Sequence, residues 1–309
     1  MQSAAEVEVE LEAPAAKSVS RLRDIARLIR KNRGAMVGGS IVLAFILISI
    51  VVTIANLLKI QITPFNPIQP SVGPNSGLPT AACLFGAGNC YFFGTDNLGR
   101  DVFSRVIAAV PNDAEVSFAV IAFALAVGGI IGAFAAFRGG LLDEALMRLT
   151  DVFFALPALI LAMAIAVALG AGLTNMMIAL MVIWWPPYAR LARGETLKVS
   201  HQNFIEASRL SGLGTVKVIF KHVIPNISLT LLVYATLDIG TVILTYSGLS
   251  FLGLSVRPPA PDLGYMVSQY RDYMLTAFWL PFFPGLIIAL KVIGFSVFGD
   301  GLRDALEAG

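Results

Sequence analysis

Charged side chains supply only 14% of the 309 residues, against about 25% in a soluble domain. That is too little polar surface to keep a chain of this length in water, so an ordinary soluble fold is excluded. Histidine and cysteine are scarce as well, at two of each. His201 and His222 belong to no Cys/His cluster, no His-Glu-x-x-His run occurs, and no nucleophile stands at a readable spacing from a base. There is no Gly-x-x-x-x-Gly-Lys-Ser/Thr phosphate loop, so ATP is not bound in that manner here. These absences give an enzyme no support, and neither a cofactor nor a metal is expected in this chain. The net charge of +2 is too small to suggest nucleic acid as a partner.

What the chain has in quantity is hydrocarbon. Apolar residues make up 57%, and the mean hydropathy is +0.78. A helix needs roughly 20 apolar residues to cross a bilayer. Ala35–Leu58, Val116–Phe137 and Val152–Gly170 meet that test without a charge. Leu173–Tyr188 is shorter and ends at "WWPPY", which predicts a kink or a helix continuing past the bilayer. Val223–Leu244 and Leu275–Phe298 are long enough, with one charge each, Asp238 and Lys291. The reading is an all-α integral membrane protein with six spans.

Lys and Arg in the connecting loops set orientation. Seven basic residues from Lys17 to Arg33 precede the first span, and Arg138, Arg148, the run from Arg190 to Lys221, and Arg303 fall on the same side. The other side has only Lys59, Arg100, Arg105, Arg257 and Arg271. Both termini are therefore expected in the cytoplasm of a multi-pass cell-membrane protein. The first span is too long for a signal-peptide core and lacks a small-residue cleavage site, so it reads as an anchor.

The organisation follows. Residues 1–16 read as a disordered tail. Residues 17–34, with Leu22, Ile25, Ala26 and Ile29 spaced between arginines, read as a basic amphipathic helix on the inner surface or as a simple topology signal. The first span, 35–58, precedes an extracytoplasmic loop over 59–113. Cys83 and Cys90 in that loop face the oxidising side, which favours a disulfide over two free thiols. The remainder, 114–306, is the membrane core, within which Gly128 and Gly132 form a small-xxx-small pair for close helix packing.

The most basic inner loop, 190–222, contains "FIEASRLSGLG" (Phe204–Gly214). Phe204, Ile205, Ala207, Ser208 and Leu210 give a short helix an apolar side, and Gly212 and Gly214 supply a turn. A projecting amphipathic helix suits a groove on a cytoplasmic partner. Glu206-Ala207-Ser208, then Gly212, then Ile224-Pro225, resembles the Glu-Ala-Ala loop of ABC-importer permeases, with Ser208 in place of the second alanine.

"FGTDNLGRDVFSRV" (93–106), "DEALMRLTDVFFALP" (143–157), "WWPPYARLARGE" (184–195) and "FPGLIIALKVIGFSVFGDGLRDAL" (283–306) extend the likeness across roughly residues 20–306. Together they resemble the second permease subunit of dipeptide, oligopeptide or nickel ABC importers. That resemblance implies a type I importer permease and a second homologous permease as heterodimer partner. It also implies two cytoplasmic ATPases holding ATP and Mg, and an extracytoplasmic substrate-binding protein. Phe204, Glu206, Ala207, Ser208, Leu210, Gly212 and Gly214 would then couple ATPase motion to the spans. Peptides are the first substrate expected, with oligosaccharides or nickel as alternatives.

By the same likeness, "GTDNLGRD" caps and positions the outer segment facing the binding protein. It lacks the spacing of a calcium loop. The sequence departs from the family at "IAAVPNDAEVSF", where "PND" is expected to lengthen the outer approach to the second span. Asp238 and Lys291, roughly 20 Å and about 12 Å from the inner face at ~1.5 Å per residue, need a partner or water. They are expected to pair across the last two helices or to line the pathway. The alternative is that Lys291 snorkels and Asp238 faces water. Two rival classes remain. A secondary transporter would use Asp238 and Lys291, and a membrane-embedded enzyme would need a polar cluster at one depth.

Overall fold

The computed structural model describes residues 32–71 and 91–307. The tail over 1–16, most of the amphipathic segment 17–34, and Cys83 and Cys90 lie outside the described residues. Among the described residues every extended element is a helix, as the unbroken apolar runs require in lipid, where each backbone group must be satisfied internally.

Helix α1 (Arg33–Leu57) starts where the Asn32 side chain accepts a hydrogen bond from the Ala35 N–H at 3.2 Å. Its buried residues Ala35, Gly38, Val42, Ser49, Val52 and Ala55 form one stripe. Helix α2 (Val102–Arg138, 37 residues) is capped by the Asp101 carboxylate, which accepts from the Ser104 N–H at 2.8 Å. It contains a π-helical turn over Ala124–Gly128.

α3 (Gly140–Phe154) and α4 (Ala158–Leu169) meet at 86°. The break lies at Pro157, which disfavours helix at the residue before it. α5 (Leu173–Ser200) carries the short α6 (Asn203–Leu210). α7 (Thr215–Phe251) includes a second π turn at Ile219–Val223. α8 (Leu263–Tyr270) lies in the segment leading to the last helix, α9 (Trp279–Glu307).

α1, α2, α7 and α9 are each long and apolar enough to cross a membrane, and the bent pair α3–α4 makes a fifth span if taken as one. The six-span reading thus changes in three places. The run Val152–Gly170 is broken, because Pro157 interrupts it. α5 continues past "WWPPY" to Ser200, one of the two outcomes expected, but with only its first half apolar it is not among the helices apolar enough to span. The second span begins at Val102 instead of near Val116, so "PND" is a helical turn and not added loop.

Gly128 and Gly132 bring α2 onto α5 backbone to backbone. A Cβ on Gly128 would lie 2.5 Å from the Trp185 carbonyl oxygen, and one on Gly132 would lie 2.1 Å from that of Ala189. The central core joins Val116, Val120, Leu180, Trp184, Tyr188, Val242, Ile243 and Tyr246 from α2, α5 and α7.

Candidate functional site

Helix α6 sits between two turns whose chemistry is local. Its C-terminus is closed by the Gly212 N–H donating to the Arg209 carbonyl at 3.0 Å and the Leu213 N–H donating to the Ser208 carbonyl at 3.3 Å. This is the 5→2 and 6→1 pair of a Schellman cap. Gly212 occupies the left-handed position at φ 76°, where an L side chain is strained. Gly214 then starts α7. The glycine-broken pattern is therefore the stop of one helix and the start of the next.

One side chain fixes α6 to the body. Ile205 is fully buried, in a cluster with Ala133, Ala192, Val199, Val218, Ile219 and Val223. The rest of the expected apolar side is largely open, with Phe204 meeting only the His222 ring, at 6.5 Å between centroids. Phe204 and Ala207 are exposed, and Leu210 is 89% exposed. Ser208 is half-buried, and its hydroxyl donates to the Phe204 carbonyl at 2.7 Å. Glu206 is also exposed. The apolar residues of α6 thus divide between a single anchor and a surface turned away from the chain. Arg209 lies over the Phe137 ring of α2 at 4.2 Å.

The helix that carries α6 is clamped to the bent pair. The Arg193 guanidinium of α5 donates twice to Asp143 of α3, at 2.6 Å each. Arg190 donates to Thr150 at 3.1 Å, pairs with Asp151, and lies over the Phe154 ring at 4.2 Å. The basic and acidic residues of "DEALMRLTDVFF" and "YARLARGE" meet each other across two helices.

Asp238 and Lys291 do not pair. Lys291 of α9 is only 3% exposed, so it does not snorkel. It donates to Asp113 of α2 at 2.5 Å and to the Val110 carbonyl at 3.3 Å. Asp238 of α7 is half-buried and accepts from the Trp184 indole N–H at 2.6 Å and the Tyr188 hydroxyl at 3.2 Å, both on α5. Asp113, which the sequence places in the loop before the second span, lies inside α2 and supplies the carboxylate that a buried lysine requires. Among the described residues, no group of three or more His, Cys, Asp or Glu is placed to hold a metal ion.

The segment before α2 is tied down by a buried polar knot. Asp96 accepts from the Arg100 Nε at 2.7 Å, from the Leu98 and Arg100 N–H groups at 2.9 Å each, and from the Tyr270 hydroxyl of α8 at 3.0 Å. Arg105 donates to the Pro67 carbonyl at 2.7 Å and to that of Pro259 at 3.3 Å. Burial pushes both the Tyr270 phenol and the Asp101 carboxyl above their ordinary values. "GTDNLGRD" thus joins the segment before α2 to the one between α7 and α9. Asp262 repeats the device at the start of α8, accepting from Tyr246 at 2.5 Å and from Ser250.

Residues 127–309, which include α6 and both its turns, match the family described as the binding-protein-dependent transport system inner membrane component. Residues 20–76 match the N-terminal transmembrane domain of oligopeptide transport permease C. The chain belongs to this permease family. The permease is 35% identical over 290 residues to a dipeptide transport system permease protein of Alkalihalophilus pseudofirmus, covering 94% of this chain and 90% of that one. It is 35% identical over 288 residues to a di/tripeptide transport system permease protein of Pseudomonas aeruginosa, covering 93% and 92%. A glutathione transport system permease protein of Escherichia coli is 40% identical over 221 residues, covering 70% and 72%. In fold, the permease is similar to the inward-facing MetNI methionine ABC transporter. The TM-score is 0.53 at 20% identity, covering 67% of this chain and 97% of the other.

Proposed function

We propose that this permease imports dipeptides or short oligopeptides, driven by ATP hydrolysed on two cytoplasmic ATPase subunits that hold ATP and Mg. In this reading it pairs with a second homologous permease and receives substrate from an extracytoplasmic binding protein. It sits in the cell membrane with both termini in the cytoplasm, and it has no ATPase site of its own. The peptide assignment is supported by its relatives, several of which are di- or tripeptide transport permeases. Oligosaccharides or nickel have no such support among them.

The observation that carries the coupling role is α6 itself, an eight-residue helix held by Ile205 with its remaining apolar residues exposed. Phe204, Glu206, Ala207, Ser208 and Leu210 form the docking surface. Gly212 and Gly214 set its angle. The Arg193–Asp143 and Arg190–Asp151 contacts make α5 the lever that carries displacement of α6 to the spans. A secondary transporter built on Asp238 and Lys291 is disfavoured, because the two charges have separate partners on different helices.

Purification from native membranes in mild detergent tests this. The wild-type chain is expected to bring down a second permease and two P-loop ATPases at stoichiometric levels. Ala207→Arg, which places a charge on an exposed site, is expected to lose the ATPases while the second permease stays. Recovery of the ATPases unchanged with Ala207→Arg would count against docking through α6.

A further inference from the structure

The second half of α2 and the first turns of α7 wall two successive clefts that the transport mechanism does not use. The first, of about 470 Å³, is apolar and is lined by Ala126, Gly129, Ile130, Ile224, Ile227 and Leu231 among others. The second, of about 310 Å³, lies further along the same walls between Phe137 and Val218 and is rimmed by Arg138 and Arg209. Ile130 and Arg138 are eight positions apart on one helix, or about 12 Å at 1.5 Å per residue. An apolar slot is thus followed by a basic end at the distance separating an acyl region from a headgroup.

The two arginines are available. Both are exposed, and among the described residues neither has a carboxylate within ion-pair distance. Arg209 is instead held over the Phe137 ring at 4.2 Å, which fixes the guanidinium at the mouth of the cleft. Arg190 and Arg193, by contrast, are committed to Asp151 and Asp143. Two guanidiniums that line one cleft and lack carboxylate partners can both donate to phosphate oxygens. The apolar slot above them opens between spans, where lipid is the surrounding medium.

We infer that this groove binds one anionic phospholipid, with an acyl chain between α2 and α7 and the headgroup phosphate between Arg138 and Arg209. Because Arg209 belongs to α6, the lipid braces that helix against α2. The inference requires only a chain embedded in lipid, so it stands or falls independently of ATPase docking.

Native mass spectrometry of the purified full-length chain with its companions, titrated with phosphatidylglycerol or phosphatidylcholine, tests it. The wild type is expected to retain phosphatidylglycerol more than tenfold better than phosphatidylcholine, at about fivefold per guanidinium. Arg138→Gln with Arg209→Gln is expected to abolish that preference. Ala126→Trp, which fills the slot from an exposed position, is expected to lose both lipids with the arginines intact. All three positions are solvent- or lipid-exposed, and an unchanged melting temperature confirms folding. Equal retention of the two lipids by the wild type would overturn the inference. So would unchanged retention in either variant, or a cross-link from Ala126→Cys to a companion chain in place of lipid.

Discussion

Replacing Lys291 with methionine is expected to leave little folded permease in the membrane. The change removes the cation that holds Asp113, 1% exposed, at 2.5 Å in the interior. Stripping one partner from a buried pair costs about 3–5 kcal/mol, because the other charge stays behind unpaired. The lost contact is only part of that cost. A double change, Lys291→Met with Asp113→Leu, removes both charges and is expected to restore folded yield and melting temperature close to wild type. Fluorescence-detected size exclusion across the four-member cycle measures this. A single Lys291→Met variant that melts with the wild type would show that the pair does not form.

Gly132 is expected to be nearly as intolerant, for a steric reason. A methyl group there would stand 2.1 Å from the Ala189 carbonyl oxygen and 2.9 Å from the Ala192 side chain, so α2 and α5 must separate to admit it. Overpacking of this kind costs roughly 1–3 kcal/mol for a small increment. Gly132→Ala is therefore expected to lower the melting temperature and Gly132→Leu to abolish the folded species. Gly194, on the same α5, has nothing within 4 Å of its would-be Cβ. Gly194→Ala should be neutral or slightly stabilising, since alanine loses less backbone entropy in a helix. Equal tolerance at the two sites would contradict the backbone contact.

The difference between what was legible and what was not follows from the range of the interactions. The apolar runs of α1, α2, α7 and α9 are statements about consecutive residues and could be read directly. So could the Gly128/Gly132 pair and the start-and-stop chemistry around α6, where Gly212 and the residues it caps lie within one turn. Asp113 could not be read this way. Pro111, Asn112 and Asp113 are turn formers with a charge, and locally they argue against a span. Only Lys291, 178 residues away, makes a helix through them tolerable. Asp238 is similar, since its donors Trp184 and Tyr188 are 54 and 50 residues distant. Neither aromatic carries a charge that would have drawn attention to it.

Ile205 lay between the two cases. It was visible as one of four apolar residues on a short helix. Nothing in an eight-residue pattern says which one is the anchor and which three are exposed. The packing of Val218, Ile219 and Val223 against it decides that, and those residues come from the turn after the glycines.

In the proposed function, α6 is the surface on which a cytoplasmic ATPase pushes. The most direct test is to place the photoreactive amino acid benzoylphenylalanine at Ala207, which is exposed and has no packing role, and to irradiate native membranes. A light-dependent adduct between this chain and a P-loop ATPase is the expected result. An assembled transporter in which Ala207 yields no ATPase adduct would contradict it.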